Sequence, residues 1–545
     1  MIYKEEKRAI ILKIMPEFIK TKASLYRPSL NYNPSCQPKN FCYFEPTVRI
    51  FLKTLYKFFK SSFWRSWTSA LSHEAHITAL AKPKARQALI CIFVLILVVI
   101  LSPISAFAQT QFSWGPYLRI WHEFWKNPTD LNSALKDNSN LFKIKTSFWG
   151  QVDFNQNNSL YVKLSNENNA YTYLGGTPSI YPDKQPDKKG YHYDFNEIFF
   201  ENLYTDVKNF MGMPVDLRLG RQDLAGQYGE GFLIMDGTTG DASRTVYFNA
   251  AKASWRIDNK NTLDAIYIND PRTDQFLPVI NRFRLTNYKT GYKSQANYLT
   301  VTDEQGYVLY WKNTAVKNLG LEGYYIFKGE SEEGGVGIYS SEKTKLNTIG
   351  SYIKYDFTPY ALRAQAAGQW GSYGKEDRTG LGGYVYLDRD ITELKAFSPS
   401  FSVGWFYLSG DNRKTDKQEG WDPLFSRDPW LSELYIFALA GETGIVAYWT
   451  NIQGLNTQFS FKPTSKSRIT LGYLYLRAVE AVPSAAGSMF SGNSKDRGQL
   501  FQSKFDYNLN KYTTLGFLCE YFFPGRFYAV RDDAFLLRSQ LEIKF

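Results

Sequence analysis

Cysteine is scarce in this chain and unevenly placed: of 4 copies, Cys36, Cys42 and Cys91 precede residue 108 and only Cys519 follows it. No disulfide framework can form within the later part of the chain. Histidine is equally rare, and only His122 and His192 follow residue 108. Nucleophilic catalysis needs a positioned base, usually histidine, and neither residue has a serine motif beside it. His122-Glu123 lacks a second histidine at ligand spacing, which excludes a zinc helix. His192, between Tyr191 and Tyr193, reads as part of an aromatic loop cluster. The chain is therefore not expected to be an enzyme or to carry a metal or other cofactor; a lipid-modifying barrel enzyme is the remote alternative. Long hydrophobic runs are also missing. The longest, Ala88 to Leu101, is about 14 residues, short of the ~20 a spanning helix needs.

That run has a basic flank at Lys82, Lys84 and Arg86 and a small-x-small site at Ala106-Phe107-Ala108, the three parts of a secretory signal. Residues 83–108 are thus expected to be a signal peptide, cut after Ala108. Residues 1–82 show no alternation, repeat or ligand cluster. A start codon placed too early accounts for them, or else a basic extension in which Arg49 to Trp67 lies on a membrane surface. The net charge of +12 does not extend to the exported part: residues 1–108 hold 16 Lys+Arg and 5 Asp+Glu, leaving 64 − 16 = 48 basic and 52 − 5 = 47 acidic residues. A nearly neutral exported chain gives no reason to expect a nucleic-acid partner.

Residues 109–545 repeat one pattern, about ten alternating apolar and polar residues followed by a turn. Phe142, Ile144, Thr146, Phe148, Gly150 and Val152 share a face opposite Lys143, Lys145, Ser147, Trp149, Gln151 and Asp153. Phe501 to Leu509 and Thr513 to Phe523 form a second alternating pair. In the last segment Phe535, Leu537, Leu541, Ile543 and Phe545 oppose Arg538, Gln540, Glu542 and Lys544. Short connections near Asp258–Asn261, Lys462–Ser467 and Asn508–Lys511 alternate with long ones, among them Ser165–Tyr191, Asp270–Thr300, Lys328–Lys345, Ser409–Pro429 and Glu480–Arg497. Short periplasmic turns and long external loops, with an apolar face to lipid and a polar face to a wet lumen, describe an outer-membrane barrel. The fold expected is an all-β, transmembrane, antiparallel up-and-down β-barrel. At roughly 24 residues per strand and its connections, it has about 18 strands, and 16 also fit. Gln109 to Asn140 is too short for an internal plug domain, and Trp114 to Trp125 suits the first strand instead. Phe545 is expected to act as the signal read by the barrel-assembly machinery.

The stretch Val215 to Thr245, "VDLRLGRQDLAGQYGEGFLIMDGTTGDASRT", resembles the alginate export family of outer-membrane channels. So do "QAAGQWGSYG" (Gln365 to Gly374), "LSGDNRKTD" followed by "WDPLF" (Leu408 to Phe425), and "YFFPG" (Tyr521 to Gly525). The resemblance implies a monomeric barrel of eighteen strands in outer-membrane lipid, passing an anionic polysaccharide such as alginate; a general or small-solute porin of the same fold is the alternative. A polyuronate needs cations that attract carboxylates without trapping them, and arginine offers each carboxylate a planar fork. Alternation places Lys143, Lys145, Arg218, Arg363, Lys504 and Arg538 toward the lumen, with Arg221 at a strand end that could face either way. Asp153, Asp506, Glu520 and Glu542 point inward too, so these cations also have a structural reading, as cross-strand pairs bracing the wall.

Overall fold

The computed structural model describes residues 110–135, 138–172, 191–194, 198–235, 247–279, 284–286, 293–295, 299–332, 342–484 and 488–545. The expected extension 1–82, the signal 83–108 and its cut after Ala108 lie outside the described residues.

Alternating side chains leave an extended backbone on opposite faces, and eighteen such strands close into one antiparallel barrel. They are β1 (Gln111–Lys126), β2 (Ser139–Asp153), β3 (Asn158–Thr172), β4 (Ile198–Val207), β5 (Val215–Gln222) and β6 (Phe248–Arg256). Next come β7 (Asn261–Asp270), β8 (Glu304–Asn313), β9 (Leu319–Glu330), β10 (Thr344–Phe357), β11 (Tyr360–Tyr373) and β12 (Glu376–Asp390). The last third comprises β13 (Ser400–Leu408), β14 (Ile452–Thr464), β15 (Ser467–Arg477), β16 (Asp496–Asn508), β17 (Thr513–Pro524) and β18 (Ala534–Lys544). Each strand pairs with its sequence neighbours, and β1 closes on β18 with Tyr117 opposite Lys544 and Lys126 opposite Phe535. Trp114 to Trp125 lie within β1, as expected of a first strand. Among the described residues, closure pairs each of the eighteen strands on both sides, as a spanning barrel in lipid requires.

The short connections join β6 to β7, β14 to β15 and β16 to β17 where the turn residues stand, all at one end of the barrel. Long connections occupy the other end, except for the tight Gly374-Lys375 turn between β11 and β12. Strand β8 shows the two faces: Tyr307, Leu309 and Trp311 point outward and are exposed, while Val308 and Tyr310 are buried inside. Outward exposure of Phe148, Ile349, Leu381 and Phe517 continues the apolar belt.

Two long connections fold into the lumen. The described part of one, between β5 and β6, is Asp223 to Met235; the other, Ser409 to Asn451, includes the Ser409–Pro429 stretch expected to be an external loop and a helix, α1 (Tyr435–Thr443). The reason is apolar surface within polar surroundings. Trp421, Leu424 and Phe425 are buried at 0–1 % exposure, and fully burying a Leu or Phe stabilises by roughly 1.5–3 kcal/mol. Phe232 of the first loop stacks on Trp421 of the second, with centroids 5.3 Å apart, and meets Tyr384 of β12 edge-on. A short parallel pairing of Ile234-Met235 with Phe425-Ser426 locks the loops together. The barrel's hydrophobic core is therefore this loop cluster and the inner wall around it.

Helix α1 is capped from the wall. The Glu520 carboxylate of β17 accepts hydrogen bonds from the Leu434 amide (2.8 Å) and the Ser432 hydroxyl (2.6 Å), placing a carboxylate where a helix N-terminus favours one. At the other end Gly444, with φ +76°, adopts the left-handed conformation glycine accepts without strain, and its amide donates to the Ala440 carbonyl at 2.7 Å.

Candidate functional site

The seven cations expected along the pore fall into two groups. Lys143 and Arg538 come together on Glu123 of β1, at 2.9 and 2.6 Å, and Arg538 also reaches Glu433 beside α1 at 3.0 Å. Lys145 lies 3.3 Å from Glu201. Glu201 is an extra residue in β4, where the pairing with β3 shifts register between Lys163 and Leu164, and this bulge also brings it within 2.8 Å of Lys163. Arg221 makes a bidentate pair with Asp274, at 2.7 and 2.9 Å. These four cations are buried.

Arg218, Arg363 and Lys504 retain contact with water. Arg218 forks onto Asp206 at 2.7 and 2.9 Å and lies 4.1 Å above the Tyr204 ring. Arg363 holds Asp388 of β12 at 2.6 Å and both oxygens of Glu230, from the first inward loop, at 2.8 and 2.9 Å. Lys504, the most exposed, stands 3.4 Å from Asp506 on the same strand. Gly220, two residues after Arg218, has φ +124°, and a Cβ there would come 2.9 Å from the Tyr204 Cα. The Leu-Arg-Leu-Gly-Arg-Gln run thus needs its glycine where β5 lies against β4.

Residues outside that set anchor the loops. Arg378 of β12 contacts Asp422 at 2.9 Å and the Tyr448 hydroxyl at 2.8 Å, and Tyr448 donates back to Asp422 at 3.0 Å. Lys328 of β9 pairs with Glu330 (2.6 Å) and Glu304 (3.3 Å) and donates to the Leu424 carbonyl (2.7 Å). Arg497 of β16 joins Glu442 of α1 (2.5 Å), the Tyr435 hydroxyl (3.1 Å) and the Asn451 carbonyl (2.9 Å). Burial by itself pushes the Asp422 carboxyl upward, but the charges of Arg378, Lys328 and Arg427 outweigh it and hold the group below its usual range. Asp428 has no such cation: burial and then Glu433 raise it to about 6.

Two neighbouring cavities lie on the side of the barrel formed by β10 to β18. A cavity of about 490 Å³ is bounded by Trp121, Trp430 and the Pro429–Glu433 stretch on one side, and by Gln458, Thr470, Gln502 and Lys504 on the other. A second of about 450 Å³ shares Gln458 and Thr470 with it and continues past Arg468 to Arg363 and Lys354. The two cavities adjoin at Gln458 and Thr470, beside the loop cluster. Among the described residues no group of three or more His, Cys, Asp and Glu side chains is placed to hold a metal ion. His122 packs against Phe142, with ring centroids 4.6 Å apart, and the side chain of His192 lies outside the described residues.

A family model for alginate export matches residues 118–539, from the first strand to the last. The chain belongs to the alginate export family. It is an outer-membrane channel of eighteen strands. No curated protein matches the chain. Solved structures similar to it include OpdL of Pseudomonas aeruginosa (10% identity, TM-score 0.47, 80% of this chain and 99% of that one). A BenF-like porin from Pseudomonas fluorescens Pf-5 gives the same four values. OccK2 (OpdF) of Pseudomonas aeruginosa, solved in complex with glucuronate, has 10% identity and a TM-score of 0.46, with 80% of this chain and 98% of that one covered.

The missed anchors had a partial signal in the sequence. Lys328 and Arg378 obey the strand alternation, and the aromatic run from Trp421 to Phe425 is too apolar for an exposed loop. What alternation does not carry is which wall cation each loop will cover.

Proposed function

We propose that this channel passes an acidic polysaccharide, with alginate the leading candidate, past the adjoining cavities beside the two inward loops. The observation that carries this reading is the combination of a lumen narrowed by interlocked loops with guanidinium and ammonium groups left in contact with water at Arg218, Arg363 and Lys504. A narrowed passage brings the carboxylates of a passing chain close to those groups. Their own acidic partners keep each site weak, as release requires. Lys143, Lys145, Arg221 and Arg538 act on the pathway indirectly, by holding the wall and the loop seats. The test is flux through proteoliposomes: an oligouronate should enter faster than a neutral glucan oligomer of equal length, and equal rates would contradict the reading.

The near one-to-one pairing of inward charges favours a second reading, a small-solute porin. Opposed charges across a passage suit polar solutes of either sign. In that case the neutral and acidic oligomers would be admitted alike and monosaccharides faster than both.

The route to the membrane belongs to the same proposal: export through a cleaved signal, a mature chain starting at Gln109, insertion as a monomer by the barrel-assembly machinery, and Phe545 as its recognition residue. Phe545 stacks on Tyr512 at 4.8 Å and is exposed. N-terminal sequencing of the outer-membrane form should begin at Gln109, and a start at Met1 would refute the cleavage.

A further inference from the structure

The inner wall next to the short Lys466 turn carries a polar patch that no part of the loop anchorage uses. Strands β14, β15 and β16 place Ser460 opposite Thr470, Thr470 opposite Lys504 and Arg468 opposite Asp506. Gln458 lies one inward position from Ser460. Gln458 and Thr470 line both adjoining cavities, Lys504 and Asp506 the first, and Ser460 and Arg468 the second. Among the described residues Arg468 is exposed and makes no ion pair; its guanidinium donates a long hydrogen bond, 3.5 Å, to the Ser460 hydroxyl. Lys504 is the other exposed cation, shared with Asp506 at 3.4 Å. Every other inward arginine discussed above has spent its guanidinium on a carboxylate.

The chemistry of the patch is specific. Two cations stand on adjacent strands with the Asp506 carboxylate opposite Arg468 and 3.4 Å from Lys504, and hydroxyl and amide groups from Ser460, Thr470 and Gln458 lie between and beside them. A planar guanidinium takes a carboxylate in a bidentate fashion, and the uncharged groups offer donors and acceptors to ring hydroxyls. Trp121 and Trp430 wall the adjoining cavity, whose volume falls within the ~300–1,000 Å³ typical of small-molecule sites. We infer that Gln458, Ser460, Arg468, Thr470 and Lys504 form a hexuronate subsite, which takes a sugar ring bearing a carboxylate. Short turns mark the periplasmic end in bacterial barrels, so the subsite would receive an acidic chain as it enters from the periplasm. This rests on the reading of the channel as a conduit for acidic polysaccharide and adds to it a place and a set of residues.

The test is block of single-channel current by a mannuronate trimer added on the side of the short turns, with a neutral glucan trimer as control. Wild type should be blocked by the uronate at lower concentration than by the glucan. Arg468→Gln with Lys504→Gln should weaken uronate block at least tenfold, as loss of a charge-assisted contact worth about 1.5 kcal/mol or more implies, and leave glucan block unchanged. Arg468→Lys, which keeps the charge but not the fork, should weaken it less, and a β-sheet circular dichroism spectrum like that of wild type would show each variant to be folded. Equal uronate block in wild type and the double variant would overturn the subsite while leaving the conduit standing. Absence of any uronate preference in wild type would overturn both.

Discussion

Arg378 and Arg468 are both inward-facing arginines of the same barrel, three strands apart, and they have opposite fates. Arg378 is buried beneath the second inward loop, fixed to Asp422 and Tyr448. Arg468 stands in water with a serine hydroxyl as its nearest partner. Strand position does not separate them; loop coverage does. A cation under the loops is fixed among buried partners, whereas one beyond their reach stays in contact with water. The same division runs through most other inward cations, with Lys143, Lys328, Arg497 and Arg538 on the buried side and Arg218 and Lys504 on the wet side; Arg363 is intermediate, held by Glu230 of the first loop yet still in contact with water.

Breaking the covered half should have the largest effect. Asp422→Ala removes one partner of a buried pair and leaves Arg378 and Lys328 undercompensated, a loss of about 3–5 kcal/mol in comparable pairs. The Ser409–Asn451 segment should then leave its seat, giving several-fold larger and noisier single-channel currents and protease cleavage within the segment. Quiet currents of wild-type size would mean that the loop is held without this pair. Removing the aromatic interlock should come next: Phe232→Ala costs about 3–5 kcal/mol where the side chain is fully packed, though the neighbouring Trp421 and Tyr384 can partly collapse into the gap. Protection of the Ile234-Met235 amides from hydrogen exchange should fall, and unchanged protection would assign the interlock to backbone pairing alone.

On the wet half the effects should be smaller. Arg218→Glu places two carboxylates side by side at Asp206 and should shift the reversal potential toward cations without a large change in conductance; an unchanged potential would move Arg218 to the structural side of the comparison. The smallest effect expected is on pH. The Asp428 carboxyl is raised from 3.8 to about 6, so the seated loop binds a proton that a released, solvated loop gives up. Loop stability should therefore decline between about pH 4 and pH 6 and level off above. Exchange protection of Pro429–Glu433 should follow that course, and Asp428→Asn should flatten it; a profile that persists in Asp428→Asn would point to another group.

Much of this division was hidden from the sequence for a physical reason. Strand faces are a local property: period two places Lys143 opposite Phe142 and Arg538 opposite Leu537 whatever the remainder of the chain does, and the strand number follows from how often the pattern recurs. Tight turns at Asp258 and Asn510 are equally local, since asparagine and aspartate side chains hold their own backbone there, as Asp258 does with the Lys260 and Asn261 amides. Coverage is not local. The stacking of Phe232 on Trp421 joins residues from opposite halves of the barrel, and nothing in either segment's own period announces the other. The helix α1 escaped for a related reason: Tyr435–Thr443 is apolar nearly all round, a pattern that belongs to a helix surrounded by protein, and its surroundings are a lumen that alternation describes only as wet. Arg468 illustrates the converse, since its face was readable but its lack of a carboxylate partner depends on where the loops end.

Single-channel recording of the barrel purified from outer membranes, with polymannuronate and then a neutral glucan added in turn, tests the central claim most directly. A conduit for acidic polysaccharide should pass anions preferentially and be blocked by the polyuronate well below the concentration at which the glucan acts. Large, weakly selective currents indifferent to both polymers would contradict that claim and make the channel a small-solute porin built on the same eighteen strands.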